Sequence, residues 1–329
     1  MKILVIPVGG TITTATTKEG TLDVSESATS CIFEKYSSLS ERQVEFTLTE
    51  NLFILSENMT VEDYGRILSL YKKNIGRDAF DGVIILHGTD TLAFTASLFS
   101  FLIGFDIPVF FVSANAPLHS PRSNGTDNLF YAVECIARGI TAGVFAVYKN
   151  ISDGRVYLHL ASRLEQCRSY SEDFTSVGMT DITELSDETF KKINSLYPRE
   201  KRNSFFEGEV RLTASVLLIT PFVGMNYDID VSGYSAILHS TYHSGTANAE
   251  GVLSLSKKGV DLYLSPAKSE GEVYDSVRRL SSGKVNFLYG TTLETAWAKL
   301  LLAYSNLSDK EEIKSFLSTE CNFERIKND

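Results

Sequence analysis

The sequence predicts an α/β protein made of two α/β domains. We expect a larger N-terminal domain with a mixed, mostly parallel sheet flanked by helices, and a smaller C-terminal domain with a parallel sheet. In the first half, apolar runs of four or five residues alternate with stretches of helical periodicity, which is typical of buried parallel strands joined by helices. Segment 187–210 then interrupts this pattern, because it is charged, contains Pro198 and shows no obvious core pattern. We therefore expect domains at 1–190 and 211–329 with a linker at 191–210.

Individual elements follow from local patterns. Apolar runs predict strands at 3–6, 83–86, 109–112 and 143–147, and in the second domain at 215–219, 235–238 and 260–264. Helical spacing predicts helices over about 92–102 and 127–138. Thr60–Asp63 approximates a capping box, and apolar residues at helical spacing follow it up to Ile75. Residues 13–30 are rich in Thr and Ser and show little periodicity, so we expect a mobile loop there.

Composition and charge exclude several classes of function. Of 329 residues, 43% are hydrophobic and 22% charged, which is typical of a globular protein, and 31 Lys and Arg against 41 Asp and Glu give a net charge of −10. This charge disfavours binding to nucleic acid or to anionic membranes. The apolar runs are too short for a membrane span or a secretion signal, and the four cysteines form no C-x-x-C pair. We expect free thiols, no metal site and a cytoplasmic location.

Two turns that follow strands carry the chemistry that the sequence offers. Gly9-Gly10-Thr11 follows the first strand, and His87-Gly88-Thr89-Asp90 follows another. Ligands of open parallel sheets bind beyond the carboxyl ends of the strands, so we expect both turns at one site. A threonine hydroxyl next to backbone N–H groups suits nucleophilic acyl transfer better than redox or phosphoryl chemistry. Fingerprints of dinucleotide binding, of P-loops, of serine hydrolases and of zinc proteases are absent from the sequence. His87 fits a turn residue bonded to backbone better than a general base.

Together, Val8–Ile12 and His87–Leu92 resemble the paired signature of bacterial-type L-asparaginases and their glutaminase and amidotransferase relatives. The resemblance extends over nearly the whole chain, through segments 56–60, 112–118, 122–125, 245–249 and 291–300. It implies a two-domain α/β fold and hydrolysis of the side-chain amide of L-asparagine, or of a related amide such as L-glutamine, to the acid and ammonia. No metal or organic cofactor is implied.

The resemblance also implies a role for individual residues. Thr11 is the nucleophile that forms an acyl-enzyme, Thr89 is the second threonine near the scissile amide, and Asp90 binds the α-ammonium group of the substrate.

Four further positions match substrate-binding residues of the family. Ser56 holds the α-carboxylate, Glu57 helps to receive the amino end, and the backbone carbonyl of Ala114 faces the leaving amide. Asn248 matches a residue that related enzymes supply from a neighbouring subunit, which implies a homodimer or homotetramer.

Two positions depart from the family pattern. The family carries a loop tyrosine near the nucleophile, and Thr21 stands where it is expected. The family also has a buried lysine that forms a proton relay with the second threonine and the aspartate. No lysine occurs between Lys149 and Lys191, and the nearest alignment places Glu165 there, with Arg163 and Gln166 adjacent. Arg163 cannot act as a base, because a guanidinium stays protonated.

Three functions stay open at this point. The intact threonine, serine and carboxylate set favours an amidohydrolase of altered efficiency or substrate. The missing lysine and tyrosine favour a homologue that binds amino acids, or acts as a scaffold, without catalysis. A third possibility is an enzyme that acts on a modified or peptide-linked Asn or Gln, or on a lactam.

Overall fold

The computed structural model describes residues 1–16, 22–201, 204–206, 208–268, 274–283 and 285–327. The chain divides into two compact units, Met1–Ser204 and Phe205–Asp329. The boundary falls inside the charged segment in which the sequence places a linker. All four cysteines lie in the described ranges, and each is a free thiol. Within those ranges, no helix has the length and hydropathy that a bilayer span requires.

The first unit is built on a mixed sheet. Its described strands run β1 (Lys2–Pro7), β2 (Thr14–Thr16), β3 (Leu22–Val24), β4 (Glu45–Leu48), β5 (Gly82–Leu86), β6 (Pro108–Val112), β7 (Gly143–Lys149), β8 (Val156–Leu160) and β9 (Thr180–Asp181). The main sheet has the order β4-β1-β5-β6-β7-β8-β9. Pairing is parallel from β4 to β7, whereas β8 pairs antiparallel with both of its neighbours. This architecture confirms the predicted mixed, mostly parallel sheet.

The helices of the first unit follow the predicted alternation. They run α1 (Glu26–Leu39), α2 (Val61–Ile75), α3 (Leu92–Phe99), α4 (Gly125–Ala137) and α5 (Asp187–Leu196). The Asp63 carboxylate accepts a hydrogen bond from the Thr60 N–H (3.0 Å), so the capping box starts α2 as predicted. Helix α3 ends three residues earlier than predicted. At its end the Ser100 hydroxyl donates to the Ser97 carbonyl (2.7 Å) and the chain turns.

Residues 13–16 and 22–30 have more regular structure than the sequence suggested, and residues 17–21 of the expected loop lie outside the described residues. A short 3₁₀ turn at Thr11–Thr13 is followed by strand β2, which pairs antiparallel with β3, and helix α1 begins at Glu26. The expected loop was therefore wrong for most of this segment. β-Branched threonines favour extended backbone, and a three-residue strand shows too little alternation to be recognised from sequence.

Segment 187–210 begins with a helix rather than with irregular chain. Ser186 caps the start of α5, where its side chain accepts a hydrogen bond from the Thr189 N–H (3.2 Å). Phe190 and Ile193 are buried, and their spacing of three residues is a helical one. Two apolar positions are enough to dock a short helix, although they are too few to stand out in a charged sequence.

The second unit holds a parallel sheet of four described strands in the order β10-β11-β12-β13, which confirms the predicted smaller parallel-sheet domain. Its strands and helices run β10 (Val216–Ile219), β11 (Ala236–Ser240), α6 (Ala249–Leu255), β12 (Asp261–Ala267), α7 (Asp275–Ser281), β13 (Asn286–Tyr289), α8 (Leu293–Asn306) and α9 (Lys310–Ser318). Three of the strands lie close to the apolar runs predicted for this half. The edge strand β13 was not predicted, because the polar Asn286 interrupts its apolar run and Leu288 is its one buried residue.

A buried ion pair ties the last segment of the chain to α8. Lys299 and Glu324 are almost fully buried, and Lys299 Nζ lies 2.7 Å from Glu324 Oε1. Lys299 Nζ also donates to the Thr319 carbonyl (2.7 Å), and Glu324 Oε2 accepts from the Cys321 N–H (2.6 Å). Every charge here has partners, which a buried charge requires. Removal of one member would leave the other charge buried without compensation.

We therefore expect Glu324→Gln to lower the free energy of unfolding by about 3–5 kcal/mol. The single tryptophan, Trp297, lies on the same helix as Lys299, so urea unfolding followed by its fluorescence measures the effect. The exposed acid Glu320 provides the control, and Glu320→Gln should change stability by less than about 0.5 kcal/mol. Equal stabilities of the two variants would contradict a structural role for the ion pair.

Candidate active site

The two glycine–threonine turns meet at the carboxyl ends of adjacent strands. β1 and β5 pair in parallel up to Pro7 and Leu86, and the turns follow directly. Gly10 has φ +81°, a backbone conformation that favours glycine. A Cβ atom on Gly10 would lie 2.1 Å from the Gly88 Cα atom, so the two backbones are in direct contact. The segments that carry Thr11 and Thr89 are therefore held together at the edge of the sheet, and both threonines are half-buried.

A third segment packs on the first turn. The Ile54 N–H donates to the Val8 carbonyl (2.9 Å), and a Cβ atom on Gly9 would lie 1.9 Å from the Ile54 carbonyl oxygen. Gly9 and Gly10 are thus both needed for close backbone approach, the first toward Ile54 and the second toward Gly88. This packing fixes where Ser56, two residues further on, can lie.

Ser56 and Asp90 form one hydrogen-bonded pair beside the threonines. The buried Ser56 hydroxyl donates to Asp90 Oδ2 (3.0 Å), and a Cβ atom on Gly88 would lie 2.3 Å from Ser56 Oγ. The Thr91 hydroxyl donates to the Ser56 carbonyl (3.0 Å), which holds the two segments together. Asp90 is exposed, and so is Glu57, which follows Ser56. This pair brings an exposed carboxylate and a hydroxyl to the edge where the threonines lie.

The loop after β6 brings Ala114 close to the first turn. Asn115 and Asn124 bond reciprocally, each accepting the other's backbone N–H through its side-chain carbonyl at 3.0 Å. A Cβ atom on Gly125 would lie 2.8 Å from the Ala114 Cβ atom and 3.5 Å from the Ile12 Cγ1 atom. Ala114 is therefore buried close to the first glycine–threonine turn. The two asparagines and Thr91 were not singled out from the sequence, since their function is to bond backbone.

His87 is a turn residue, as the sequence indicated. The ring is fully buried, its Nδ1 lies 2.8 Å from the Gly88 carbonyl oxygen, and it packs edge-on against Phe111. Burial lowers the pKa of His87 to about 4, so the ring is neutral at neutral pH. With Nδ1–H donating to the carbonyl, the imidazole orients the second turn.

The segment after β8 reaches Asp90 through Gln166 rather than through Glu165. Gln166 Nε2 donates to the Asp90 backbone carbonyl (2.6 Å). Glu165 is exposed, and its Oε2 accepts a hydrogen bond from the Thr175 hydroxyl (3.0 Å). Glu165, which the sequence analysis placed at the lysine position, thus bonds to Thr175, whereas its neighbour Gln166 contacts Asp90. The reason is that Ala161–Arg163 forms a 3₁₀ turn, which sets the direction of each following side chain and which the sequence did not reveal.

Two residues flagged in the sequence lie elsewhere. The Arg163 guanidinium lies over the Tyr197 ring, 6.0 Å from its centroid, which is a cation–π contact. Thr21, at the position of the family's loop tyrosine, lies outside the described residues.

Asn248 belongs to the second unit and caps helix α6. Its side-chain oxygen accepts a hydrogen bond from the Gly251 N–H (2.9 Å), and its side chain is exposed. It lines a cavity of about 550 Å³ together with the exposed side chains Phe222, Val223 and Tyr274. The carboxamide oxygen of Asn248 is therefore bonded to its own helix, and the side chain also borders a surface cavity.

The fold and the paired turns define an α/β protein in which two glycine–threonine turns are in contact at the carboxyl edge of a mixed sheet. Residues 2–196, more than half of the chain, match the family model described as "Asparaginase, N-terminal". The chain belongs to the asparaginase family.

Curated relatives of the chain include two archaeal proteins, each named as the D subunit of glutamyl-tRNA(Gln) amidotransferase. That of Methanosphaera stadtmanae is 27% identical over 282 residues, covering 81% of this chain and 64% of the relative. That of Haloquadratum walsbyi is 29% identical over 271 residues, covering 78% of this chain and 61% of the relative. The chain thus spans less than two thirds of the length of these relatives.

Solved structures show the same fold. The thermostable L-asparaginase from Thermococcus kodakarensis is 22% identical, with a TM-score of 0.76 over the full length of both chains. L-asparaginase I from Vibrio cholerae is 21% identical, with a TM-score of 0.74 and 99% coverage of each chain.

The glycine contact gives a prediction for stability. Gly88→Ala places a Cβ atom 2.3 Å from Ser56 Oγ, so we expect a loss of at least about 1–3 kcal/mol in the free energy of unfolding. Gly65, inside α2, has no atom within 4 Å of the place that a Cβ atom would take, so Gly65→Ala should instead stabilise by about 0.5–1 kcal/mol. Urea unfolding followed by circular dichroism compares both variants with the unaltered protein. A neutral Gly88→Ala would show that the two turns have room to separate.

Proposed function

We propose that this chain is an amidohydrolase that cleaves the side-chain amide of L-asparagine, or of a related amide such as L-glutamine, to the acid and ammonia. The observation that supports the proposal is the Gly10–Gly88 backbone contact, which joins the two turns that carry Thr11 and Thr89 near the Ser56–Asp90 pair. One small amide can contact both hydroxyls only in such an arrangement.

In the proposed reaction, Thr11 Oγ attacks the amide carbon, and the carbonyl bond opens to a tetrahedral oxyanion. Backbone N–H groups of the glycine-containing turns suit the stabilisation of that negative charge. The C–N bond then breaks, the proton that the Thr11 hydroxyl gave up passes to the nitrogen, which leaves as ammonia, and an ester to Thr11 remains. Attack of water on this ester releases the acid and restores the hydroxyl. A neutral, buried His87 leaves the proton transfers to the hydroxyl and carboxylate groups of the site.

The Ser56–Asp90 pair suits the amino-acid end of the substrate. The exposed Asp90 carboxylate is a partner for an α-ammonium group, and the hydroxyl of Ser56 is a donor for an α-carboxylate. Glu57 adds a second exposed carboxylate for the amino end. The Ala114 carbonyl is the proposed acceptor for the leaving amide, supported by the packing of its loop beside Ile12.

A second candidate function is that of a subunit that hydrolyses an amide to supply ammonia to a partner enzyme. The curated relatives favour it, because each is named as a subunit of an amidotransferase. We further propose a cytoplasmic homo-oligomer, supported by the exposed apolar side chains beside Asn248, since exposed apolar clusters mark interaction sites.

Release of ammonia from L-asparagine and L-glutamine tests the proposal directly. We expect Thr11→Ala to lower kcat/KM by at least about a thousandfold, because the nucleophile is lost. The melting temperature should stay nearly unchanged, since the Thr11 hydroxyl lies at a half-buried turn. The exposed Thr213 serves as the control, and Thr213→Ala should retain full activity.

The outcomes separate the candidate functions. Full activity of Thr11→Ala would reject the nucleophile. An unaltered chain that releases no ammonia, yet is stabilised against heat by L-aspartate, would favour a binding protein. Activity that requires a partner enzyme would favour the amidotransferase role.

A second prediction concerns the contact at Asp90. The family resemblance implies a lysine near the second threonine and the aspartate, and Gln166 is the residue that reaches Asp90. A cation there would favour loss of the threonine proton, so Gln166→Lys should raise kcat/KM for asparagine by at least about tenfold. Glu165→Lys is the matched control, because Glu165 points to Thr175, and it should leave the activity unchanged. A gain in kcat/KM from Glu165→Lys alone would show that Glu165, and not Gln166, takes the place of the lysine.

A further inference from the structure

The second unit contains a cavity of about 470 Å³ over its edge strand. Helix α8 packs across β10, β11 and β12. The cavity is lined by all four residues of the remaining strand, β13, and by Ile313 and Leu317 of α9. Its size lies within the range of roughly 300–1,000 Å³ that is typical of small-molecule sites. None of its lining residues belongs to the candidate active site.

Aromatic rings and a chain of hydroxyl groups line one side of the cavity. Tyr263 and Tyr304 pack edge-on, with hydroxyl oxygens 2.9 Å apart, and Tyr304 donates to Asp261 Oδ2 (2.8 Å). Burial raises the pKa of both tyrosines, so both hydroxyls stay protonated. Leu288 of β13 lies on the same face of the sheet as Tyr263, because Tyr263 pairs with Asn286 and side chains alternate along a strand. These surfaces suit a flat, apolar ligand body with few polar groups.

Three basic side chains also line the cavity. Lys310 and Lys314 lie one turn apart on α9 and are both largely exposed. Arg325 donates to the carbonyls of Tyr289 and Ser318, and these contacts hold its guanidinium between β13 and α9.

Two carboxylates partly balance these charges. Asp261 Oδ1 lies 3.6 Å from Lys310 Nζ, and Glu311 Oε2 lies 4.0 Å from Lys314 Nζ. Among the lining residues, three cations against two carboxylates leave a local positive charge on a chain whose net charge is −10. An anion is therefore attracted to this cavity although the protein as a whole repels it.

We propose that this cavity is a binding site for a small organic anion with an aromatic body, separate from the amidohydrolase site. The ring of Tyr263 and the apolar side chains of Leu288, Ile313 and Leu317 would contact the body of the ligand. Lys310 and Lys314 would face its negative group.

Two fluorescent probes of nearly equal shape test the proposal. 8-Anilinonaphthalene-1-sulfonate carries a sulfonate, whereas N-phenyl-1-naphthylamine has the same ring system without a charge. We expect saturable binding of the sulfonate with an affinity at least about fivefold higher than that of the neutral probe. Absence of saturable sulfonate binding, or equal affinity for both probes, would overturn the proposal.

Two variants locate the binding. Lys310→Gln combined with Lys314→Gln should remove most of the difference between the probes, because only the sulfonate depends on the charges. Ser318→Trp, an exchange at an exposed lining residue, should block both probes. The exposed pair Lys191 and Lys192 of the first unit provides the control, and their double exchange to Gln should change neither affinity.

Failure of the lysine variants to alter sulfonate binding would place the probe elsewhere and reject the site. The lysine variants test the site even if Ser318→Trp does not fold, since the two exposed lysines can be exchanged without affecting the fold. Ammonia release should be unchanged in all of these variants, so the outcome is independent of the proposed amidohydrolase activity.

Discussion

Gly10 and Gly88 meet backbone to backbone where β1 and β5 end, and the geometry of the site depends on that contact. A side chain on either residue would push apart the segments that carry Thr11, Thr89 and Ser56. The separation of the two backbone segments that carry the threonines is thus set by main chain, and main chain joined to two buried strands moves little. Short side chains on such segments can be directed at one ligand with little entropic cost of ordering.

Around this contact, side-chain hydrogen bonds join the segments that form the site. The bonds from Thr91 to the Ser56 carbonyl and from Gln166 to the Asp90 carbonyl each join two separate segments. The mutual bonds of Asn115 and Asn124 do the same for the loop after β6. Such supporting contacts hold functional groups in position before a ligand arrives.

The parts of the molecule that could be predicted from sequence are those that local chemistry determines. Apolar runs indicate buried strands, and a glycine–threonine turn after such a run places a hydroxyl at the edge of the sheet. Glu165 and Gln166 could not be told apart, because their directions depend on the 3₁₀ turn before them. Strand β13 and helix α5 were missed for a related reason, since each depends on tertiary packing of very few apolar residues.

The contact between Gln166 and Asp90 also has a consequence for how this sequence can evolve. Glutamine and lysine codons differ only at their first base, so a neutral amide at this position and a cation are a single-base step apart. The two threonine turns and the Ser56–Asp90 pair need not change for that step, because Gln166 approaches from a separate segment after β8. The charge beside Asp90 can therefore change while the two turns and the Ser56–Asp90 pair stay as they are.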